Sequence, residues 1–242
     1  MNELSLFTGA GGGILGTHLL GWRPIGYVEW DDYCQRVLAA RIADGFIPAA
    51  PIFGDVREFV QSGAAEQYRG FVDVVTAGFP CQPFSLAGKR RGADDERNMW
   101  PATAEAIRCV QPESVLLENT PGLVSSGYIG TVVGDLAEMG YVGRWGIIGA
   151  CHAGFDHKRE RVWIVAHAKR RNGGRNHTMG RVDEWGGSSN PLRGTVIGSM
   201  CLPEFEELVM GWPIGWAALT PFETAKFREW SQQHGESSLT SA

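Results

Sequence analysis

The stretch LSLFTGAGGGILG, residues 4–16, runs from a short apolar segment through Gly9, Gly11, Gly12 and Gly13 into a second apolar segment that opens on Ile14 and Leu15. Glycines at a strand-to-helix turn let backbone N–H groups approach a ligand with no Cβ in the way, the arrangement by which doubly wound α/β folds hold a nucleotide. Glycines alone are weak support. They gain weight from Glu29, which ends the next apolar run, GYVEW, twenty residues after Gly9, where a carboxylate would reach a ribose diol. Asp55, in PIFGDV, is then placed for an adenine amino group, and Trp30 for the adenine face. A carboxylate at a strand end can instead cap the helix that follows. The turn does not by itself distinguish a nicotinamide dinucleotide from S-adenosylmethionine.

The alternation continues downstream. Strands are expected at residues 4–7, 26–30, 51–56, 72–78, 114–119, 145–150 and 161–166, with helical periodicity in most of the gaps. In DDYCQRVLAARI, Tyr33, Val37, Ala40 and Arg41 share one helical face behind Asp31 or Asp32 as cap, and TAEAIRCV runs up to a stop at Pro112. The expectation is an α/β, Rossmann-like domain over 1–166 with a mostly parallel seven-stranded sheet and helices on both faces. Residues 167–201 are rich in Gly, Asn and Arg without apolar period and read as a short loop-built segment. Residues 202–242, expected to return to the catalytic domain, hold an expected helix at 202–210, the turn GWPIGW and a polar tail, SQQHGESSLTSA, expected to fray.

Five cysteines, odd in number and without a C-x-x-C pair, argue against a disulfide framework and a structural zinc site. A reducing cytoplasm and no metal are expected. The N-terminus lacks the basic-then-apolar pattern of an export signal, and no run approaches the roughly 18 apolar residues of a membrane span. The net charge of −5 argues weakly against a nucleic-acid partner, but its distribution argues the other way. Lys89, Arg90 and Arg91 cluster in GKRRG, and Lys169, Arg170, Arg171, Arg175, Arg181 and Arg193 follow within one segment. Two solvated loops or a phosphate-contacting surface would both account for them.

In GFPCQPFS, residues 78–85, Cys81 follows the fourth expected strand between Pro80 and Pro83. Open α/β folds place their chemistry at the carboxyl ends of strands, and the two prolines restrict the backbone that presents the sulfur. Such a thiol reads as a nucleophile rather than as a small buried hydrophobe. Glu118 and Asn119, at the end of the fifth expected strand, reach the same edge. A carboxyl group there can hold a proton for a ring nitrogen if burial raises its pKa. Arg159 and Arg161, two residues apart at the start of the seventh, would point to one face of an extended chain and grip a phosphate or a carbonyl.

SLFTGAGGG, VEWDDYC, GDVRE, GFPCQPFSLAGKRRG, ENTPGL and HKRERVWIV follow the order and spacing of the cytosine-5 DNA methyltransferase family, which the chain resembles over residues 4 to about 166. The resemblance decides the cofactor as S-adenosylmethionine, with S-adenosylhomocysteine as product. It implies that Cys81 attacks C6 of a flipped cytosine, that Glu118 acts at N3, and that Arg159 and Arg161 steady the base. It assigns Phe7, Gly9, Gly11, Glu29, Trp30, Asp55, Val56 and Phe79 to the cofactor. Gln82 to Trp100 resembles a loop that closes over DNA, so Gln82, Ser85, Lys89, Arg90 and Arg91, with Lys169, Arg170 and Arg171, are expected DNA contacts. The implied enzyme is a monomer acting on double-stranded DNA. An RNA cytosine methyltransferase and a non-catalytic binding module are the other readings of the same fold.

Three features depart from the family pattern. His157 stands before the paired arginines where Gln is usual, which resembles a phage and prophage branch, and the target-recognition region between Ala166 and Cys201 is short. The family's late Gly-Asn-x-Val segment is not visible in the sequence.

Overall fold

The computed structural model describes residues 1–80, 98–153, 158–169, 180–181, 213 and 216–239. The chain divides into two compact units, Met1–Glu58 with Ile197–Ala242, and Phe59–Val196. Trp216, Phe222 and Trp230 from the C-terminal part lie with Ile14, Leu15, Tyr27 and Leu38 of the first strands and helices.

In the first unit β1 (Asn2–Leu6), β2 (Arg23–Val28) and β3 (Ile52–Phe53) pair in parallel in the order β3-β2-β1. Leu4, Leu6, Tyr27 and Val28 are buried, as parallel strands covered on both faces require. β3 is shorter than the sequence suggests. Pro51 has no N–H to donate and Gly54 weakens the strand at its other end, so only two residues remain in the ladder. Helices α1 (Gly12–Leu19) and α2 (Asp32–Ala43) follow β1 and β2, and α3 (Val56–Gln61) follows β3. Of the two candidate caps for α2, Asp31 holds the position, its carboxylate accepting from the Cys34 amide at 2.9 Å.

A C-terminal helix spans Thr224–Leu239, so the tail expected to fray from Ser231 is helical for nine further residues. What secures its start is aromatic packing: Phe227 lies 6.1 Å from Trp216 and 5.8 Å from Trp230, ring centre to ring centre. Trp216, Phe222 and Trp230 join Ile14, Leu38 and Phe46 in one buried cluster. The helix expected at 202–210 lies outside the described residues.

In the second unit β4 (Val74–Ala77), β5 (Ser114–Asn119), β6 (Tyr141–Ile148), β7 (Arg161–Ala168) and the two-residue β8 (Gly180–Arg181) take the order β4-β5-β7-β6-β8. β4 and β5 are parallel, whereas β7 runs antiparallel to both neighbours. β6 begins four residues before the sequence suggests. Gly143 hides the strand from a periodicity reading, yet a Cβ there would lie 2.0 Å from the Val165 carbonyl oxygen of β7, so the pairing itself requires glycine. Helices α4 (Trp100–Val110), α5 (Gly122–Ser125) and α6 (Ile129–Glu138) also belong to this unit. The Trp100 indole of α4 donates to Asp135 of α6 at 2.6 Å. α4 ends where Gln111 turns left-handed at φ 53°, just before Pro112. Among the described residues no helix is long and apolar enough to cross a membrane.

Candidate active site

The first unit brings together the strand-end residues that the sequence marks for a nucleotide. Phe7 leaves β1 at φ 55°, a conformation that bulky side chains rarely adopt, and Gly9 and Gly11 follow at φ 60° and 90°. Strain of this kind gathers at ligand-holding turns. The Gly9 amide donates to the Glu29 carboxylate at 2.6 Å, tying the glycine turn to the end of β2, and the same carboxylate accepts from the Asp31 amide at 2.8 Å. A Cβ at Gly9 would meet nothing within 4 Å, so its far side is open to a ligand. Gly11 is the N-cap of α1, where free amides and the helix dipole favour a negative group.

Trp30 is 72% exposed, leaving its ring free to stack. Asp55 is buried and both reads as a ligand carboxylate and acts as a cap: it accepts from the Arg57 amide at 2.8 Å in the first turn of α3. The Arg57 guanidinium also grips it, with Nε 3.0 Å from each carboxylate oxygen, and holds its carboxyl below the usual range. Val56 is buried in the core. Open space beside flexible glycines, two fixed carboxylates and an exposed indole fit an adenosine-type cofactor.

In the second unit the reversal of β7 decides the geometry. Because β7 is antiparallel to β5, its first residues lie beside the last residues of β5, with Glu118 opposite Trp163 and Asn119 opposite Val162. Arg161 is on the same face of β7 as Trp163 and reaches across, its Nε 2.7 Å from Glu118 Oε1. Both side chains are about two-thirds buried, at 26% and 32% exposure. Burial raises the Glu118 carboxyl above its ordinary pKa, and Arg161 and then Arg159 oppose that rise. The other oxygen, Oε2, lies 3.3 Å from where a Cβ on Gly78 would sit. Glu118 is thus wedged between an arginine and the backbone three residues before Cys81.

Arg159 reaches this group differently from the sequence expectation. It stands outside β7 at φ 30°, so strand alternation does not align it with Arg161. Burial and the neighbouring Arg161 lower its pKa, and Glu118 attracts it. Asn119, named in the sequence without a role, proves structural: its buried Nδ2 donates to the Phe79 carbonyl at 3.0 Å while its Oδ1 accepts from the Thr120 amide at 2.8 Å. Phe79 is buried against Trp100, ring centres 5.4 Å apart.

Cys81, Gln82, Ser85, Lys89, Arg90, Arg91, His157, Arg170 and Arg171 lie outside the described residues. Lys169 is not brought to the reactive edge. It follows the far end of β7, its amide donating to the Gly140 carbonyl at 2.9 Å, eight residues of strand from Arg161, or roughly 26 Å at about 3.3 Å per residue.

The family model for C-5 cytosine-specific DNA methylases matches residues 1–184. The Type II methyltransferase M.NgoMIV of Neisseria gonorrhoeae is 33% identical over 167 residues, 68% of this chain and 51% of that protein. The Type II methyltransferase M.HpaII of Haemophilus parainfluenzae is 35% identical over 176 residues, 69% and 46% of the two chains. The chain therefore spans about half the length of the curated relatives it matches. Among solved structures, DNMT2 of Spodoptera frugiperda superposes with a TM-score of 0.58 at 17% identity, covering 74% of this chain and 54% of that one. Dnmt2 of S. pombe gives 0.56 at 19%, covering 72% and 53%. Both likenesses are to the methyltransferase fold.

Proposed function

The chain belongs to the C-5 cytosine-specific DNA methylase family, and from that membership we propose that it transfers a methyl group from S-adenosylmethionine to C5 of cytosine in double-stranded DNA. The observation that carries the reading is the Glu118–Arg161 pair packed beside Gly78, a carboxyl with a raised pKa set against the backbone that leads into Pro80-Cys81.

In this mechanism the cytosine leaves the stack, at a cost of a few kcal/mol, so that C6 and C5 become accessible. The Cys81 thiolate adds to C6 while Glu118, protonated, gives its proton to N3 and so neutralises the charge that the addition drives onto the ring; N3 returns that proton to Glu118 as C5 takes the methyl. Arg161 fixes the Glu118 carboxyl, and Arg159 steadies the base. Phe7, Gly9, Gly11, Glu29, Trp30, Asp55 and Val56 hold the cofactor, with Phe79 lining its site. When bound, S-adenosylmethionine supplies an electrophilic sulfonium methyl and leaves as S-adenosylhomocysteine. After C5 is methylated, loss of its proton expels the Cys81 sulfur and restores the aromatic ring.

Gln82, Ser85, Lys89, Arg90, Arg91, Arg170 and Arg171 contact DNA, and the working form is a cytoplasmic monomer. The names of the relatives support a modification role of the Type II kind. Transfer of labelled methyl to mixed-sequence duplex DNA, with transfer RNA in parallel, tests the assignment. Label in the duplex arm, with bisulfite sequencing locating 5-methylcytosine, is the expected result; label confined to transfer RNA replaces the DNA reading with the RNA one.

A further inference from the structure

A tryptophan far along the chain braces the glycine turn from behind. The Trp216 Nε1–H donates to the Ala10 carbonyl at 2.7 Å, and the indole is fully buried. Its edge also forms the wall of the turn: a Cβ built on Gly11 would lie 3.5 Å from Nε1 and 3.6 Å from Cζ2 of the same ring. Ala10 sits between Gly9 and Gly11, the two positive-φ residues whose conformation sets the direction of the turn's amides. Such a turn is costly to order, because glycine loses more backbone freedom than any other residue. On one side the Glu29 carboxylate holds it through Gly9, and on the other Trp216 holds it through Ala10.

Trp216 is itself fixed by the element that follows Glu29 and Trp30. From α2, the Tyr33 hydroxyl donates to the Ala217 carbonyl at 2.9 Å, and Arg41 Nη2 donates to the carbonyls of Ala218 at 2.9 Å and Thr220 at 2.7 Å. Asp44, the C-cap of α2, accepts from the Phe222 amide at 3.0 Å, and the Arg41 guanidinium lies 5.8 Å from the Trp216 ring and 5.3 Å from the Phe222 ring. Residues 216–222 thus form a strap bound along α2 with its indole end inserted against the glycine turn. The strap joins the two parts of the unit that carry the cofactor residues, Gly9 and Gly11 on one side and Glu29 and Trp30 on the other.

We infer that Trp216 is a positioning residue for cofactor binding: its N–H and ring hold the Ala10–Gly11 backbone in the conformation that receives S-adenosylmethionine. This rests on the proposed function, which names that cofactor. Removing the donor while keeping the ring takes the indole bond from a part-buried carbonyl and loosens the turn, a loss that falls on affinity rather than on the chemical step.

Isothermal titration of S-adenosylmethionine and S-adenosylhomocysteine into the full chain and its Trp216→Phe variant tests this. The expected result is a Kd raised on the order of tenfold, the size of one lost hydrogen bond, with kcat at saturating cofactor within about twofold of the parent. Ile47→Ala is the control, since it thins the same apolar cluster from outside the strap and the turn; it should lower Tm and leave Kd unchanged. If Trp216→Phe does not fold, replacement of Trp216 by its benzothiophene analogue, isosteric but without the N–H, decides. An unchanged Kd in a folded variant lacking the N–H, or an equal rise in Ile47→Ala, overturns the inference while leaving the enzyme assignment intact. A parent chain that binds neither ligand overturns both.

Discussion

Asn119→Ala is the substitution that separates the frame of the active site from its chemistry. Asn119 and Phe79 are each 3% exposed, and the Asn119 amide makes the 3.0 Å bond to the Phe79 carbonyl that ties the end of β5 to the segment leaving β4. Truncation deletes that donor and also the Oδ1 acceptor of the Thr120 amide. A buried carbonyl left without a partner costs about 1–3 kcal/mol. For a chain of this size each kcal/mol lowers Tm by about 2–4 °C, so a fall of roughly 2–12 °C is expected. The larger effect is on rate. Cys81 stands two residues beyond Phe79, and a displacement on the order of 1 Å of a reacting group can lower the rate about 100-fold. Asn119→Asp tests the direction of the bond, because a carboxylate turns an acceptor towards the Phe79 carbonyl and should be no better than alanine. The assay pairs thermal melting with single-turnover methyl transfer at a temperature where both proteins are folded. A variant that melts with the parent, or one that melts early yet transfers methyl at the parental rate, would refute the assignment of Asn119 as the brace of the Cys81 segment.

Further expectations concern the neighbouring residues. Gly78→Ala places a Cβ 3.3 Å from Glu118 Oε2, so the carboxyl must shift by a few tenths of an ångström; single-turnover rates should fall by about tenfold or more with Tm little changed. Burial raises the Glu118 pKa, so the folded chain keeps a proton there that the unfolded chain releases. The stabilisation is full below the ordinary glutamate value and is lost as pH rises through the raised one. Since the protonated form acts at N3, kcat/KM should fall along the same alkaline limb. Arg161→Ala removes a charge that opposes the rise, so that limb should move to higher pH whatever the loss in rate; a limb that stays or moves down contradicts the pairing. Arg41→Ala leaves the Ala218 and Thr220 carbonyls without their donor and Asp44 without its cation, and should destabilise the chain by about 3–5 kcal/mol in urea unfolding.

Local signals in the sequence carried most of the architecture and failed where distant pairing decides. The glycine turn, Glu29 and the strands at 4–7, 72–78 and 114–119 are legible because apolar runs bounded by turn residues are local. β6 was clipped because Gly143, required by the β7 backbone, breaks the pattern, and that requirement appears only once the strands are paired. Only the family resemblance puts Arg161 and Glu118 at one base; the cause of their meeting, the reversal of β7, leaves no mark in periodicity. Arg159 shows the converse: extended-chain reasoning gave the right neighbourhood by the wrong geometry, since a positive φ places it there. Trp216 and Ala10, 206 residues apart, could not have been joined from sequence at all.

The central claim is that Cys81 forms a covalent bond to C6 of cytosine in DNA under the control of Glu118. Duplex DNA carrying 5-fluorocytosine tests it most directly, because fluorine at C5 blocks the proton loss that would expel the sulfur. Incubation with S-adenosylmethionine should give a denaturant-stable protein–DNA complex whose modified peptide contains Cys81, and Cys81→Ser should give none. A complex that survives in Cys81→Ser, or its absence from the parent chain on DNA that the same protein methylates, contradicts the account.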